Sequence, residues 1–375
     1  MIFEPITIEN LTIRNRTVRS ATYEGMGTNT GRPSARLAQL YNTLAEGEIG
    51  LLVTSATLIE RFRIPMPEGD ELAYPTFIDS DEMIEPWTHI TTDVKARGAA
   101  IAMQVVHPGR QENPILRGGE PPIAPSAVEE RTFGTMPREM TVGEIEEIVE
   151  KFAQVCRRAK QAGFDAVQLH GGHGYLLSNF ISPYTNRRTD EYGGTTHKRA
   201  RIIVDIVRRA RQLVGDFPLM IKMNCDDFVP DGLTGDEAAR VAAVLAEGGI
   251  DCIEITGGIY ETREQMSRKG INKKEKEAYF RPYAALLRDR VNIPLILVGG
   301  IRSPEIAERV LTDGVADMVA FSRPLIREPH LIKRWKEGDT RKAACISCNQ
   351  CSDNVFSKPM RCYVEEALQA QNKSS

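Results

Sequence analysis

Two histidines and a tyrosine fall within six residues, in Gln168-Leu-His170-Gly-Gly-His173-Gly-Tyr175. Two imidazole donors can polarise a carbonyl oxygen on which charge develops, and a phenol can deliver a proton. The glycines between them allow a tight turn and a close approach to a flat ligand. A metal site or a polar turn in the core is the competing reading. His-x-x-His here lacks the intervening Glu of a zinc protease helix, and spacing reveals no matching carboxylate.

Other residues have chemistry to explain. Lys222 interrupts the apolar run LMIKMN, and Gln104 interrupts IAMQVV. A lysine so placed is costly unless it meets an anion or an electron-rich ring, with a solvated strand end as the alternative for both. Four of the seven cysteines, Cys345, Cys348, Cys351 and Cys362, crowd into 18 positions. In a reducing compartment such crowding marks a metal or cofactor site before it marks disulfides. Cys156, Cys225 and Cys252 are scattered, and read as small buried residues.

The elements that must position these groups are legible as eight short apolar runs: 17–21, 50–56, 99–105, 166–170, 218–223, 252–256, 294–298 and 318–322. Several are apolar throughout, as parallel strands buried on both faces are. Helical patterns lie between them. Thr141–Glu144 and Thr234–Glu237 have the capping-box spacing, and Ser303-Pro304 places an N-cap before a proline. A weak repeat, with Gly163 and Asp165, Gly249 and Asp251, then Gly314 and Asp317, ends a helix and turns the chain into a strand three times. Eight alternations, with polar or glycine-rich strand ends along the whole chain, predict an α/β fold of the (β/α)8 TIM-barrel type. The barrel is assigned residues 1–338 and a Cys-rich extension 339–375. The active site of such a barrel lies at the C-terminal strand ends, which is where the histidine block falls. Gly299-Gly300 after the seventh strand and Ser322-Arg323 after the eighth occupy the usual phosphate cradle. Two long connections, 57–80 and 106–140, are of a length that is usually functional.

Composition narrows the function. Hydrophobic residues at 41% and charged residues at 26% are ordinary for a soluble domain. The net charge of −3 offers no global field for nucleic acid. The N-terminus has no apolar signal core, and no run approaches the ~20 residues of a membrane span, so a cytoplasmic location is expected. No G-x-G-x-x-G fingerprint follows a strand, and no separate nucleotide-binding domain is expected after the barrel.

The string HGGHGYLLSNFISPYTNRRTDEYGG, with FEPITIENLTIRNRTVRSAT, TSAT, QVVHPGR, DDFVPDGLT, ITGG, LVGGI and SRPLIREP, resembles the Old Yellow Enzyme (NADH:flavin oxidoreductase) family over residues 1–362. The likeness is to the bacterial branch that contains 2,4-dienoyl-CoA reductase and trimethylamine dehydrogenase. It implies FMN bound noncovalently across the barrel mouth. By that resemblance Ser20, Ala21 and Thr22 lie along the flavin, and Ala56 and Gln104 contact its pyrimidine ring. His170 and His173 hold the substrate carbonyl, Tyr175 donates the proton, and Gly299, Gly300, Ser322 and Arg323 bind phosphate. Lys222 stands where Arg is usual, a cation without Arg's planar fork. Ser322 stands where Gly is more usual. The resemblance extends to the cysteines, whose Cys-x-x-Cys-x-x-Cys spacing is nearer that of trimethylamine dehydrogenase and implies a [4Fe–4S] cluster. Structural zinc suits the same four thiolates. The expected activity is reduction of the activated C=C bond of an α,β-unsaturated carbonyl compound, with NAD(P)H or a partner protein as electron source. Oxidation of an amine or other substrate, or service as an electron-transfer subunit, is the alternative. A flavin barrel acting on tRNA would need a basic face that the charge does not supply. The expected partners are a small-molecule substrate, an electron-transfer protein and further copies of this chain in a homo-oligomer, with no nucleic acid and no membrane.

Overall fold

The eight apolar runs form eight strands. In the computed structural model, which describes residues 1–69, 72–353 and 355–374, these are β1 (Thr17–Arg19), β2 (Leu51–Val53), β3 (Ala100–Val106), β4 (Ala166–Gly171), β5 (Leu219–Asn224), β6 (Cys252–Thr256), β7 (Leu295–Leu297) and β8 (Met318–Phe321). All are parallel, and the sheet closes on itself in chain order, with β8 paired to β1 and β2 to β3. Asp70 and Glu71 of the first long connection, and Ser375 of the polar tail, lie outside the described residues. β1, β2 and β7 are shorter than expected. Ser20–Ala21, Thr54–Ala56 and Val298 lie beyond the last paired residues, where the strands part to form the barrel mouth.

Outside the barrel lie α1 (Ala35–Glu46), α2 (Ile84–Ala96), α3 (Val142–Gln161), α4 (Thr196–Val214), α5 (Gly235–Glu247), α6 (Arg281–Arg288) and α7 (Pro304–Thr312), one after each of β1 to β7. Two short helices, Arg323–Arg327 and Leu331–Lys336, follow β8, and Tyr363–Ser374 is a helix in the tail. Among the described residues no helix is long and apolar enough to cross a membrane.

The strand period of two decides what each residue does. Val18, Val53, Ala102, Ala166, Met220, Cys252, Ile296 and Ala320 pack together inside the barrel. Ile8 and Ile13, from the hairpin Ile6–Ile8/Leu11–Ile13, join them from below. The alternate residues, such as Leu52, Ile101, Val167, Ile221 and Ile253, face outward and belong to the large core with the helices. Two residues beyond the inner layer, the same face of β1, β3, β4, β5, β6 and β8 carries Ser20, Gln104, Gln168, Lys222, Glu254 and Ser322. The polar mouth of the barrel is thus fixed by the register that fills its apolar middle.

The repeat has a physical meaning. Gly163, Gly249 and Gly314 each adopt a left-handed backbone after a helix. Asp165 then accepts the Ile101 N–H at 2.9 Å, Asp251 the Leu219 N–H at 2.7 Å and Asp317 the Leu295 N–H at 2.8 Å. Each Asp therefore ties the strand it introduces to the start of a neighbour. The capping box at Thr141 and Glu144 is complete. At Thr234 only half forms, because the Glu237 carboxylate is taken by Thr196, Arg199 and Arg240. Ser303 takes the expected N-cap position before Pro304, although its hydroxyl donates to Glu277 at 2.7 Å and makes no capping bond. Cys156, Cys225 and Cys252 are buried, as expected of lone cysteines.

Candidate active site

β4 ends at the histidine block, and the chain turns there with His173 in a left-handed conformation, φ 61°. A non-glycine residue held so, at a strand end, is strain of the kind functional sites retain. Asn224, at the end of β5, accepts the His173 N–H at 3.0 Å and donates to Asp227 and to the Gly258 carbonyl. The His173 ring meets the Thr256 hydroxyl at 2.8 Å. The rings of His170 and His173 lie 5.2 Å apart and nearly perpendicular, and Tyr175 packs 4.9 Å from His170. The Tyr175 hydroxyl contacts that of Tyr260 at 3.2 Å. Among the described residues Nδ1 of His170 is buried without a hydrogen-bond partner. An orphan of this kind inside a cavity awaits a ligand atom or water.

Electrostatics sets the protonation states. Burial, then His173 and Lys222, pushes the His170 imidazole well below its ordinary value. Burial and Lys222 push His173 down to about 3. Both rings are therefore neutral near pH 7, each with one N–H to give. Burial raises Tyr175, so its hydroxyl is held as the neutral phenol. A stability prediction follows. The unfolded chain protonates a histidine near 6.5, whereas folded His173 resists to about 3. Between those values the unfolded state binds more protons, so stability is complete above pH ~6.5 and falls as pH drops toward 3. Denaturant midpoints at pH 7.5 and 5 should show the loss, and a His173→Asn variant should show less of it. Asn tolerates the left-handed conformation.

The expected residues converge. Ser20, Ala21, Thr22, Ala56, Gln104 and Lys222 line one cavity, with His170, His173 and Tyr175. Gly300, Ser322 and Arg323 line the same cavity. Ser322 and Thr22 share a hydroxyl contact of 2.8 Å, joining the two ends of the barrel seam. A Cβ on Gly300, which has φ 73°, would sit 2.8 Å from the Tyr279 ring. Gly299 is not among the lining residues, and its carbonyl is bonded to the Tyr279 N–H. Arg323 lines the cavity but also donates to the Arg268 carbonyl and to Asn349. Its guanidinium is thus partly committed to the tail.

A second cavity of about 500 Å³ adjoins the first and shares Tyr23, Ala56, Tyr175, Tyr260 and Phe356 with it. The two long connections supply much of its apolar wall, including Phe62, Met66 and Phe133. The tail covers the mouth: Ser347, Cys351, Val355 and Phe356 line the first cavity, and the Phe356 ring lies 5.5 Å from Tyr23. Cys345, Cys348, Cys351 and Cys362 line one cleft, which shares Arg323, Ile326 and Cys351 with the first cavity. Burial, then the neighbouring thiol of Cys345, helps push Cys351 up to about 11. Among the described residues no three His, Cys, Asp or Glu side chains are drawn together as an ion site.

The sequence family decides the class of this constellation. The model of the NADH:flavin oxidoreductase / NADH oxidase family matches residues 1–342. The chain belongs to that family. It is 39% identical over 329 residues to an NADH oxidase of Thermoanaerobacter brockii, covering 86% of this chain and 49% of the relative. The chain spans about half the length of the first curated relatives it matches. Among solved structures it is similar to a 2-naphthoyl-CoA reductase complex, with TM-score 0.86 and 26% identity, over 96% of this chain and 56% of that one. Morphinone reductase in complex with tetrahydroNAD matches with TM-score 0.74 and 26% identity, over 95% of this chain and 93% of that one.

Sequence reasoning missed Gln168, Glu254, Thr256 and Tyr260. Glu254 carried the same signal as Lys222, a charge inside an apolar strand (CIEIT), but its meaning lies in pairing across strands. Tyr260 stands just past the Gly-Gly end of β6, and only proximity to Tyr175 distinguishes it.

Proposed function

We propose that this protein is an FMN-dependent oxidoreductase that reduces the activated C=C bond of an α,β-unsaturated carbonyl compound, with NAD(P)H or a partner protein as electron source. The observation that carries the reading is the convergence of two neutral imidazoles and a protonated phenol on one wall of a cavity whose floor bears a lysine. The residues fit FMN. An unpartnered imidazole nitrogen, a buried cation and an amide face the cavity, and a hydroxyl pair, Gly300 and Arg323 stand at the end suited to a phosphate. When bound, FMN supplies two-electron chemistry, taking and giving a hydride equivalent.

The chain's own residues do the rest. His170 and His173 donate N–H to the substrate carbonyl oxygen and stabilise the charge that gathers there. Tyr175 gives its proton to the α-carbon. Lys222 presents a positive charge at the floor, Gln104 presents an amide, and the aromatic second cavity receives the apolar body of the substrate and excludes water. Product analysis with enones and with amines tests the direction of reaction. Formation of saturated carbonyl products supports the reading. Turnover of amines alone would favour substrate oxidation, for which the Tyr23, Tyr260 and Phe356 rings offer faces to a cation.

The four cysteines suit a [4Fe–4S] cluster, which takes four thiolates. Cys351, on the wall shared with the first cavity, would carry that group closest to the flavin. Anaerobically purified protein is expected to hold about four iron per chain, and a Cys348→Ser variant to lose most of it. One zinc per chain and no iron would replace the cluster with a structural ion bound by the same residues.

A further inference from the structure

Lys222, Ser20 and Gln104 face the first cavity, and beneath them lie two residues that do not, Glu254 and Gln168. Glu254 stands directly opposite Lys222 in the β5–β6 register. Its side chain is fully buried, and one carboxylate oxygen lies 3.0 Å from the lysine nitrogen. The same oxygen accepts the Ser20 hydroxyl at 2.5 Å, and Lys222 donates to that hydroxyl at 2.7 Å. The other oxygen accepts from Gln168 at 2.8 Å, and Gln168 accepts from Gln104 at 2.8 Å. One carboxylate therefore holds, directly or through Gln168, three side chains that face the cavity.

We propose that Glu254 is a positioning residue that sets the reduction potential of the flavin by cancelling most of the Lys222 charge and fixing the aim of Gln104 and Ser20. The inference rests on the FMN reading of the cavity. A buried lysine beside a flavin favours the reduced form, which carries more negative charge. A carboxylate 3.0 Å behind that lysine opposes it. The pair brings no net charge to the floor, and so holds the flavin at a lower potential than the lysine alone would. A carboxylate placed only to keep a buried lysine in the fold would need the ion pair, but it would not need its other oxygen committed to Gln168, which in turn holds the cavity-facing Gln104.

The test is a charge cycle read as the two-electron potential of bound FMN, by equilibration with a dye of known potential. Glu254→Gln leaves a net positive floor and is expected to raise the potential by at least tenfold in the equilibrium constant, about 30 mV for a two-electron couple. Lys222→Met is expected to lower it by a similar factor. The double variant Lys222→Met/Glu254→Gln restores a neutral floor and should return within threefold of the parent. Buried ion pairs are often replaced by neutral residues without loss of stability, so the step from Lys222→Met to the double variant keeps the test decisive if Glu254→Gln alone does not fold. A shift of less than threefold on neutralising Glu254, in either background, overturns the proposal. A parent protein that takes up no FMN defeats the underlying reading instead, and is seen before any variant is compared.

Discussion

Tyr175→Phe is expected to slow alkene reduction by about 10²- to 10⁴-fold while leaving reduction of the bound flavin by NAD(P)H at its parent rate. The phenylalanine keeps the ring that packs 4.9 Å from His170 and removes only the hydroxyl. That hydroxyl is held protonated by burial, and its contact at 3.2 Å is another phenol, Tyr260. Burial raises both phenols above the ordinary tyrosine value, so both stay protonated and neither is a base near pH 7. Stopped-flow measurement of the two half-reactions separates the effect. Equal slowing of both would mean a damaged flavin site, and no slowing of either would remove Tyr175 from the role.

The second large effect is expected from the imidazole pair. A His170→Ala/His173→Gly variant should lose at least about 10³-fold in kcat/KM toward an enone, since each donor to a developing oxyanion is worth about 10²- to 10³-fold. Glycine is chosen at 173 because the native backbone there is left-handed. The bound-flavin absorbance should persist, because Lys222, Gln104 and the Ser322 end of the cavity are untouched. A variant that keeps its flavin and turns over at more than a tenth of the parent rate would show that the carbonyl is held elsewhere.

The barrel was legible because its strands are buried on both faces and read as unbroken apolar runs, and because Gly and Asp mark the entries to β4, β6 and β8. The histidine block was legible for a local reason: three chemical side chains and three glycines are adjacent in the chain. What was not legible arises from neighbours distant in sequence. Glu254 meets Lys222 and Ser20 only when β1, β5 and β6 come together, and Tyr260 meets Tyr175 only when two strand ends share the mouth. The short strands Thr57–Leu58, Ile123–Ala124 and Arg138–Glu139 were also invisible, since two residues carry no period. Ser303 takes the N-cap position its sequence predicts, but that its hydroxyl bonds Glu277, 26 residues away, was not legible. The tail's placement over the cavity, through Phe356 against Tyr23 and Asn349 against Arg323, likewise depends on contacts that spacing does not encode.

The central claim is that the cavity ringed by Ser20, Gln104, His170, His173, Lys222 and Ser322 holds FMN. Its most direct test is the visible spectrum of the purified protein, after incubation with FMN and removal of the excess. The expected result is a flavin spectrum at one FMN per chain that bleaches on addition of NAD(P)H. Protein that stays free of flavin absorbance after that treatment, while folded by circular dichroism, contradicts it.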